Sequence, residues 1–143
     1  MFFFGRLPSA YFSGVRVLEA NEITCKVVVP YKWFSRNPFR STYFACLSMA
    51  AEMSTGILAM MHTFERSPSV SLLVTRMESV YFKKATEITV FTCNGGLEIK
   101  ASIDAAIHSG IAQTCVVKST GLNPNGETVA EFVITWSFKA RQK

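Results

Sequence analysis

The sequence predicts an α+β fold in which a mostly antiparallel sheet curls around one long helix. The first observation is a stretch over residues 42–63 that is apolar on nearly every side, as expected of a helix buried inside a protein. The second is that two runs of strand-like segments surround this stretch. Without repeats or a low-complexity linker, the 143 residues are predicted to form a single domain, residues 1–143.

The segments before the long helix are predicted to form a cover and a β-hairpin. Residues 1–12 are rich in aromatic residues and are interrupted by Gly5 and Pro8, so we expect a short helical or irregular cover whose Phe and Tyr side chains cap the core. Residues 14–20 alternate between two faces, as a strand does. Residues 23–29 are rich in β-branched residues and are predicted to be the return strand.

The long central helix is predicted over residues 42–63. Pro38 keeps the residue before it out of helical geometry. Ser41 or Thr42 can then act as the N-cap and accept a hydrogen bond from an otherwise unpaired backbone N–H. At a rise of 1.5 Å per residue, the helix would be roughly 33 Å long.

The rest of the chain is predicted to contain four strands and one amphipathic helix, in the order strand, strand, helix, strand, strand: residues 70–83, 86–93, 97–109, 111–120 and 127–139. In the short helix the apolar positions recur at i, i+4, i+7 and i+8, which is a helical period. Gly110 follows directly and is a natural C-terminal cap.

The composition is apolar for a monomer in water. Hydrophobic residues make up 49% and charged residues 17%, which indicates apolar surface buried between subunits or against a ligand. Fifteen Lys and Arg against ten Asp and Glu give a net charge of +5. This positive charge would suit binding of an anionic small ligand. It is equally well explained as the ordinary charge that keeps a protein soluble. No interleaving of basic and aromatic residues supports a nucleic-acid partner.

The four cysteines and two histidines do not predict a metal site. No Cys-x-x-Cys pair is present, so zinc is not expected, and we expect no cofactor. The cysteines lie within strand-like and helical runs, as buried free thiols do, which favours a reducing, cytoplasmic location. Residues 44–61 approach the length of a membrane span, but an acid at their centre and strands on both sides argue against one.

One stripe of the long helix is small or polar at every position. Its members are spaced alternately four and three residues apart: Ser41, Ala45, Ser48, Glu52, Thr55, Ala59 and His62. Such a stripe could line a cavity or a subunit interface, with Ser48, Glu52 and Thr55 within mutual reach. Glu52 has two interpretations here. It is either a buried polar group hydrogen-bonded by Thr55 or a strand, or a carboxylate in an apolar cleft whose pKa is raised, able to act as base or nucleophile.

Other polar residues give weaker signals. Ser48 has no His–Asp partners for a hydrolase triad. His62, near the helix end, is predicted to be a capping or surface residue, and His108 to interact with the last carbonyls of the short helix. Lys83 and Lys84 are predicted to form a solvated strand end, although they could also meet a phosphate.

Four segments resemble a known fold: Gly-Val-Arg-Val at 14–17, Pro-Tyr-Lys-Trp at 30–33, Asn-Pro-Phe-Arg-Ser-Thr-Tyr-Phe-Ala at 37–45 and Met-Ala-Ala-Glu at 49–52. With the order of elements, they resemble the hotdog fold, the scaffold of many acyl-CoA thioesterases. The likeness is to a family of small bacterial hotdog proteins related to the phenylacetate-type thioesterases. It covers nearly the whole chain and is more specific for the fold than for the activity.

The resemblance implies a thioesterase site. In the phenylacetate-type enzymes an Asn precedes a His-Gly-Gly that opens the helix, and an acid follows seven residues after the second Gly. Asn37 and Glu52 stand at the Asn and acid positions, while the His-Gly-Gly reads Tyr43-Phe44-Ala45. The likeness implies that Glu52 is the nucleophile or general base, that Asn37 orients water or the carbonyl, and that backbone N–H groups at the helix start polarise the thioester.

The resemblance also implies a substrate surface and partners. Tyr43, Phe44, Ala45, Ser48 and Thr55 would contact the acyl-CoA or acyl-carrier substrate or position the acid. The anionic carrier would be bound by Arg40, Lys83 or Lys84. Hotdog thioesterases join their sheets edge to edge, so a homo-oligomer, a dimer or a tetramer, is expected, with sites between subunits.

Two other functions remain open from the sequence. Phe44 in place of Gly adds bulk where a substrate approaches, so the chain could be a non-catalytic hotdog protein that binds an acyl or other apolar ligand, or a structural oligomer. A hotdog dehydratase is a third candidate. That activity usually needs a His near the acid, and neither His62 nor His108 is placed for it.

Overall fold

The computed structural model describes residues 5–142. These residues include three helices and six strands in the following order: α1 (Pro8–Phe12), β1 (Arg16–Ala20), β2 (Cys25–Val29), α2 (Phe44–Thr63), β3 (Val70–Tyr81), β4 (Thr89–Cys93), α3 (Gly96–Ser109), β5 (Gln113–Leu122) and β6 (Thr128–Ala140). The order of elements from β1 to β6 is the predicted one. The boundaries differ from the predicted ones by up to three residues.

All six strands form one antiparallel sheet with the order β1-β2-β4-β5-β6-β3. The β3–β6 ladder runs from Val70 opposite Ala140 to Tyr81 opposite Ala130. Strand β6 therefore lies inside the sheet, and β3 and β1 form its two edges. The predicted α+β class, with an antiparallel sheet and one long central helix, is confirmed.

Helix α2 packs against β2, β4, β5 and β6 on one side of the sheet and also contacts α3. The sheet directs Phe91, Phe132 and Phe138 into this layer, where they are fully buried with Leu58 of the helix. Burying each of these side chains is worth about 1.5–3 kcal/mol, so the apolar character of α2 is explained by the core that it builds. By length and composition α2 is also the one described helix that could cross a membrane, and 50% of its apolar window is buried inside the protein.

Helix α2 begins two residues later than predicted, and neither predicted cap residue caps it. Tyr43 is the N-cap, and no side chain bonds to the first N–H groups. The Ser41 hydroxyl instead donates to Asn37 Oδ1 at 3.2 Å, and the Thr42 hydroxyl donates to the Ala85 carbonyl at 3.2 Å. Both hydroxyls fasten the loop before the helix, which is why they are not available as caps.

The N-terminal segment contacts the core differently from the expectation. Ala10 of α1 is buried, whereas Tyr11 and Phe12 are exposed. The expectation that aromatic side chains cap the core is therefore wrong for these two residues, because the short helix turns the small Ala10 inward. Residues 1–4, which include three of the expected aromatic side chains, lie outside the described residues.

The end of α3 and the state of the cysteines agree with the sequence. Gly110 ends α3 in the left-handed conformation, with φ +70°, and its N–H donates to the Ala106 carbonyl. The four cysteines are buried and free. Cys25 lies opposite Cys93 on neighbouring strands, and burial together with the nearby Cys93 raises the pKa of Cys25 to about 12. These thiols behave as small core residues.

Candidate functional site

Glu52 faces an apolar cavity between α2 and the β3–β6 side of the sheet. The cavity has a volume of about 320 Å³. Its wall is formed by residues of α2, of β3 and of β6: Met53, Gly56, Ile57, Met60, Leu72 and Trp136. Arg6 and Leu7, just before α1, also line it. The carboxylate is half-buried, so it reaches the cavity without being sealed in the core.

Gly56 lies one helical turn after Glu52 and leaves room for its carboxylate. A β-carbon built on Gly56 would lie 3.1 Å from Glu52 Oε1 and 3.3 Å from Trp136 Cζ2. These distances are shorter than the ordinary contact of roughly 3.5–4.0 Å between non-bonded carbon atoms. The carboxylate and the indole ring therefore approach the helix at a point that only glycine leaves open.

Trp136 is held in place by a buried hydrogen bond. Its indole N–H donates to Thr55 Oγ1 at 2.9 Å, and the Thr55 hydroxyl donates to the Glu52 main-chain carbonyl at 2.8 Å. The Trp136 ring also stacks on Phe138 at 6.4 Å between centroids, with an angle of 3° between the planes. Thr55 thus links the helix backbone at Glu52 to the sheet.

The Glu52 carboxylate has no hydrogen-bond or ion-pair partner among residues 5–142. Thr55 bonds to the main-chain oxygen of Glu52 and not to the carboxylate, in contrast to the interpretation in which Thr55 satisfies the acid. Burial raises the pKa of the Glu52 carboxyl above its usual range, because leaving water disfavours the charged form. A desolvated carboxylate without partners retains its full capacity to accept a proton.

Ser48 lies one turn before Glu52 but does not bond to it. Its hydroxyl donates to the Phe44 carbonyl at 2.9 Å, within the same helix. Ser48 is half-buried and does not line the cavity. The stripe of small and polar residues is therefore not a continuous surface of one cavity: Thr55 and Ala59 are fully buried, and Glu52 alone of the stripe lines the cavity.

The first turn of α2 leaves two backbone donors unused. The N–H groups of Cys46 and Leu47 both donate to the Tyr43 carbonyl, at 2.9 and 3.2 Å. The N–H groups of Phe44 and Ala45 have no acceptor in the described part of the chain. The aromatic rings of Tyr43 and Phe44 are exposed and meet edge to face at 5.0 Å. These side chains flank the two free donors.

Asn37 organises the loop that precedes α2. Its side-chain oxygen accepts the N–H of Phe39 at 2.9 Å, and the N–H and hydroxyl of Ser41, each at 3.2 Å. The amide NH₂ has no acceptor within residues 5–142. Asn37 does not line the cavity beside Glu52, so one protomer does not bring these two predicted catalytic residues together.

The predicted basic residues are placed unequally. Lys83 Nζ forms an exposed ion pair with Glu127 at 2.6 Å, which lowers the pKa of that carboxyl. Lys84 Nζ donates to the Phe39 carbonyl at 3.3 Å, so it lies against the loop that contains Asn37. Arg40 is exposed in the same loop, at φ +62°. Arg40 and Lys84 therefore bring positive charge to the start of α2, while the charge of Lys83 is shared with an acid.

The two histidines hold helix ends. His62 is buried, and its Nε2 lies 2.9 Å from the Glu22 carbonyl, so of the two predicted alternatives, a capping or a surface residue, the surface one is wrong. This contact ties the end of α2 to the turn between β1 and β2. His108 Nδ1 lies 2.7 Å from the Asp104 carbonyl near the end of α3, in agreement with the prediction. Within residues 5–142 no group of three or more His, Cys, Asp or Glu side chains could hold a metal ion.

Solved structures of other proteins share this architecture. A protein from Pseudomonas aeruginosa named a probable thioesterase has a TM-score of 0.84 at 18% identity, with 98% of this chain and 92% of that chain covered. A protein of unknown function from Chlorobaculum tepidum has a TM-score of 0.83 at 17% identity, with 98% and 91% covered. A thioesterase from Haemophilus influenzae has a TM-score of 0.71 at 8% identity, with 98% and 88% covered. The fold is therefore the hotdog fold.

The family of the chain follows from its sequence. The model of the family described as a domain of unknown function, DUF4442, matches residues 6–138, and the chain belongs to this family. The match includes the whole of α2 and every residue named above as lining the cavity. A search of the curated proteins found no match.

Proposed function

We propose that this protein hydrolyses the thioester of an acyl-CoA or acyl-carrier substrate and that Glu52 is its general base or nucleophile. The observation that carries the proposal is a half-buried carboxylate that has no hydrogen-bond partner in the described part of the chain and faces an apolar cavity of about 320 Å³. Ligand pockets of roughly 300–1,000 Å³ are typical, with apolar walls and few polar groups. Hotdog neighbours named thioesterases or probable thioesterases support the same chemistry.

As a general base, Glu52 would take a proton from water while the water oxygen attacks the thioester carbonyl carbon. Collapse of the tetrahedral intermediate would break the carbon–sulfur bond, and the proton would pass from Glu52 to the departing sulfur. As a nucleophile, the carboxylate would attack the carbonyl carbon, and the carbon–sulfur bond would break to release the thiolate and leave an anhydride. Water would then cleave this anhydride to the free acid and the Glu52 carboxylate, and the proton released from water would pass to the thiolate. Both routes need an ionised Glu52, and burial raises the pKa of this carboxyl, which makes its ionised form a stronger base.

The free N–H groups of Phe44 and Ala45 are proposed to stabilise the negative oxygen of the intermediate. Preorganised backbone donors at a helix N-terminus suit this role. Phe44 and Glu52 are eight residues apart on α2, a distance of about 12 Å along the helix. A thioester carbonyl held at one end therefore cannot be attacked from the other within the same protomer.

We infer from this separation that the site is completed by a second copy of the chain. Strand β3 supports a homo-oligomer, because within residues 5–142 it pairs with β6 alone, which leaves its other edge unpaired there over twelve residues. Long edge strands of this kind readily pair with another chain. Leu73, Met77 and Val80 of β3 are exposed, which supports an apolar contact there. A dimer is the smallest assembly in which a second copy can complete the site. A tetramer built of two such dimers meets the same condition.

The remaining predicted site residues receive roles that agree with their contacts. Asn37 keeps its NH₂ group free and is proposed to orient water or the carbonyl through it. Tyr43 flanks the substrate entry with Phe44. Arg40 and Lys84 are proposed to bind carrier phosphates, with a smaller contribution from Lys83 because Glu127 shares its charge. Ser48 and Thr55 are proposed to support the acid through the helix backbone.

A second candidate is a hotdog protein that binds an acyl or other apolar ligand without hydrolysis. The exposed Phe44 side chain favours it, because this bulk stands beside the free N–H groups where a thioester would have to approach. The two candidates differ in turnover. Thermal stabilisation by acyl-CoAs without release of thiol from any of them would support the binding protein.

The test of the proposed function is thiol release from a panel of acyl-CoAs. We expect Glu52→Gln to lower kcat by on the order of 10²–10⁴, the range for loss of a catalytic acid or base. Glu87→Gln is a matched control, because Glu87 is exposed and distant in sequence from the cavity wall; it is expected to retain activity. Wild-type activity in Glu52→Gln would remove Glu52 from the reaction.

A further inference from the structure

We propose that the turn between β2 and α2 docks this protein on an anionic lipid surface, with the side chains of Trp33 and Phe34 inserted among the lipids. This inference goes beyond the proposed hydrolysis and does not depend on it. The observation behind it is a turn that presents two adjacent aromatic side chains to solvent between two cations. Trp33 is 77% exposed and Phe34 is 57% exposed. Large apolar side chains that are exposed together mark an interaction site.

The backbone of this turn is fixed by hydrogen bonds from below. The Lys32 carbonyl accepts the N–H of Ser35 at 3.1 Å and that of Arg36 at 3.0 Å. The fully buried Ser35 hydroxyl donates to the Pro30 carbonyl at 2.6 Å and accepts the Lys32 N–H at 3.0 Å. The Ser35 carbonyl accepts the Tyr43 N–H at 2.7 Å, which ties the turn to the start of α2. The two aromatic side chains at the tip are therefore presented on an ordered backbone.

The residue types at the tip contradict the ordinary preferences of a turn. Gly, Pro, Asn, Asp and Ser dominate turns, whereas Trp33 and Phe34 occupy the tip here. Their rings lie 6.3 Å apart, and Phe34 lies 6.5 Å from the ring of Phe12 on α1. Residues that break a local rule in this way are expected at functional sites. Trp in particular is enriched where a membrane meets water, because its amphipathic ring sits at the level of the lipid headgroups.

The charges around the tip are positive. Lys32 and Arg36 flank it, both are exposed, and neither forms an ion pair within residues 5–142. Residues 23–51 contain no Asp or Glu. Residues 1–51 contain six Lys and Arg and two Asp and Glu, so they carry four of the five net positive charges of the chain. Each Lys or Arg close to an anionic lipid surface strengthens binding by about fivefold.

A lipid surface suits this turn better than a second copy of the chain or a nucleic acid. The turn follows β2, beside the edge strand β1, whereas the edge proposed to meet a second copy is β3, at the other end of the sheet. Two copies that met through the turn would bring Lys32 and Arg36 against the same cations. Single-stranded nucleic acids lie in cationic grooves lined by aromatic side chains, not on the tip of a turn. An apolar anchor beside a cationic patch is the combination that holds peripheral proteins on anionic membranes.

The binding test is flotation of the full chain with vesicles of equimolar phosphatidylcholine and phosphatidylglycerol, or of phosphatidylcholine alone. Wild type should bind the anionic vesicles about 25-fold more tightly, from two cations at about fivefold each. Lys32→Gln with Arg36→Gln should remove that difference. Trp33→Ser with Phe34→Ser should weaken binding to the anionic vesicles by about tenfold or more, because apolar surface then stays in water.

Two matched variants control for the loss of any exposed aromatic or basic side chain. Phe64 is 73% exposed but lies at the opposite end of α2, and Lys139 is exposed on β6. Phe64→Ser and Lys139→Gln should bind the anionic vesicles as wild type does. Circular dichroism of every variant checks that it is folded.

Insertion of the tip can be measured with brominated lipids, which quench a tryptophan that enters the bilayer. They should quench the fluorescence of Trp33 and not that of Trp136, which is 5% exposed. Trp33→Phe retains an aromatic side chain at the tip and should therefore bind the vesicles without quenching. Quenching that persists in Trp33→Phe would contradict insertion of this turn.

The remaining outcomes identify another occupant or none. Absence of wild-type binding to anionic vesicles overturns the proposal, as does undiminished binding of the variant that carries both Trp33→Ser and Phe34→Ser. If vesicles are not bound and this variant has a lower mass than wild type by light scattering, the turn is a contact between copies. If only a labelled single-stranded oligonucleotide is bound, and the variant loses it, the turn contacts nucleic acid. Either result overturns docking on lipid.

Failure of this inference is distinguishable from failure of the proposed function. No step of the vesicle test involves turnover, so absence of lipid binding leaves the proposed hydrolysis standing. Equally, wild-type activity in Glu52→Gln removes the assigned catalytic role and leaves docking on lipid untouched.

Discussion

The hydrogen bond between Thr55 and Trp136 allows a quantitative test of the site's architecture. Thr55→Val keeps the shape of the side chain and removes the hydroxyl that accepts the indole N–H at 2.9 Å. That donor is buried, and a buried donor without an acceptor costs about 1–3 kcal/mol. The Glu52 carbonyl loses less, because it retains its place in the helical backbone ladder. We expect Thr55→Val to lower the free energy of unfolding by about 2 kcal/mol, within that range.

The pair can be isolated by a double-mutant cycle with Trp136→Phe. The Phe variant removes the indole donor and leaves a smaller ring in the core, at an expected cost of about 2 kcal/mol, less than full truncation to Ala. Once the donor is gone, Thr55→Val no longer leaves a group unpaired. The double variant should therefore be more stable than the sum of the single changes predicts, by about 1 kcal/mol.

The assay is urea unfolding followed by circular dichroism, because fluorescence would change with the tryptophan itself. Equal slopes of the four unfolding curves would permit comparison of their free energies. Additivity to within about 0.3–0.5 kcal/mol would refute the coupling, since that is the agreement expected of independent sites. Trp136 would then not be fixed by Thr55, and its indole ring would not be a rigid part of the cavity wall beside Glu52.

Two further predictions concern the charge of Glu52 and the free edge of the sheet. Because burial raises the folded-state pKa of Glu52, the folded chain holds more protons than the unfolded chain between the two pKa values, and stability falls as pH rises through that window. Glu52→Gln should therefore be more stable than wild type at pH 7 in urea unfolding and should lose this advantage at about pH 3. An equal difference in stability at both pH values would contradict a raised pKa of Glu52 in the folded chain. In β3, the paired changes Leu73→Lys and Met77→Lys place charge on the exposed edge strand and should convert an oligomer into monomers by light scattering. An unchanged mass would place the subunit contact elsewhere.

Much of the fold could be predicted because its periodicities are clear. The alternation of β6 identifies the buried face that carries Phe132 and Trp136, and the apolar stretch around Glu52 identifies the core helix. Local chemistry was harder to predict. The hydroxyls of Ser41 and Thr42 fit a helix cap by position, but their partners come from a loop and from a residue more than forty positions away.

The candidate site could be predicted only around the acid itself. The position of Glu52 on a buried helix was enough to single it out as a candidate site residue. The role of Thr55 could not be predicted, because its hydroxyl is hydrogen-bonded to a tryptophan on β6, 81 positions later. Gly56 gave a signal that was available in the sequence, since an isolated glycine within a buried helix usually has a packing or functional reason. Its meaning depends on Trp136 and therefore on the tertiary packing.

Glu52 is separated from the free N–H groups at the start of α2. Mixing two inactive variants is therefore the most direct test of a catalytic site shared between two copies of the chain. Asn37→Asp keeps the side-chain oxygen that accepts three loop hydrogen bonds and removes the NH₂ donors, so it should inactivate the site without releasing the loop. Glu52→Gln removes the acid, which is the part of the site contributed by the other copy. If each site combines Glu52 of one copy with the helix start of the other, refolding equal amounts of the two variants together should restore about one quarter of wild-type thioesterase activity, by random assortment into symmetric dimers. Activity no higher than that of the separate variants would contradict a Glu52-dependent site shared between two copies.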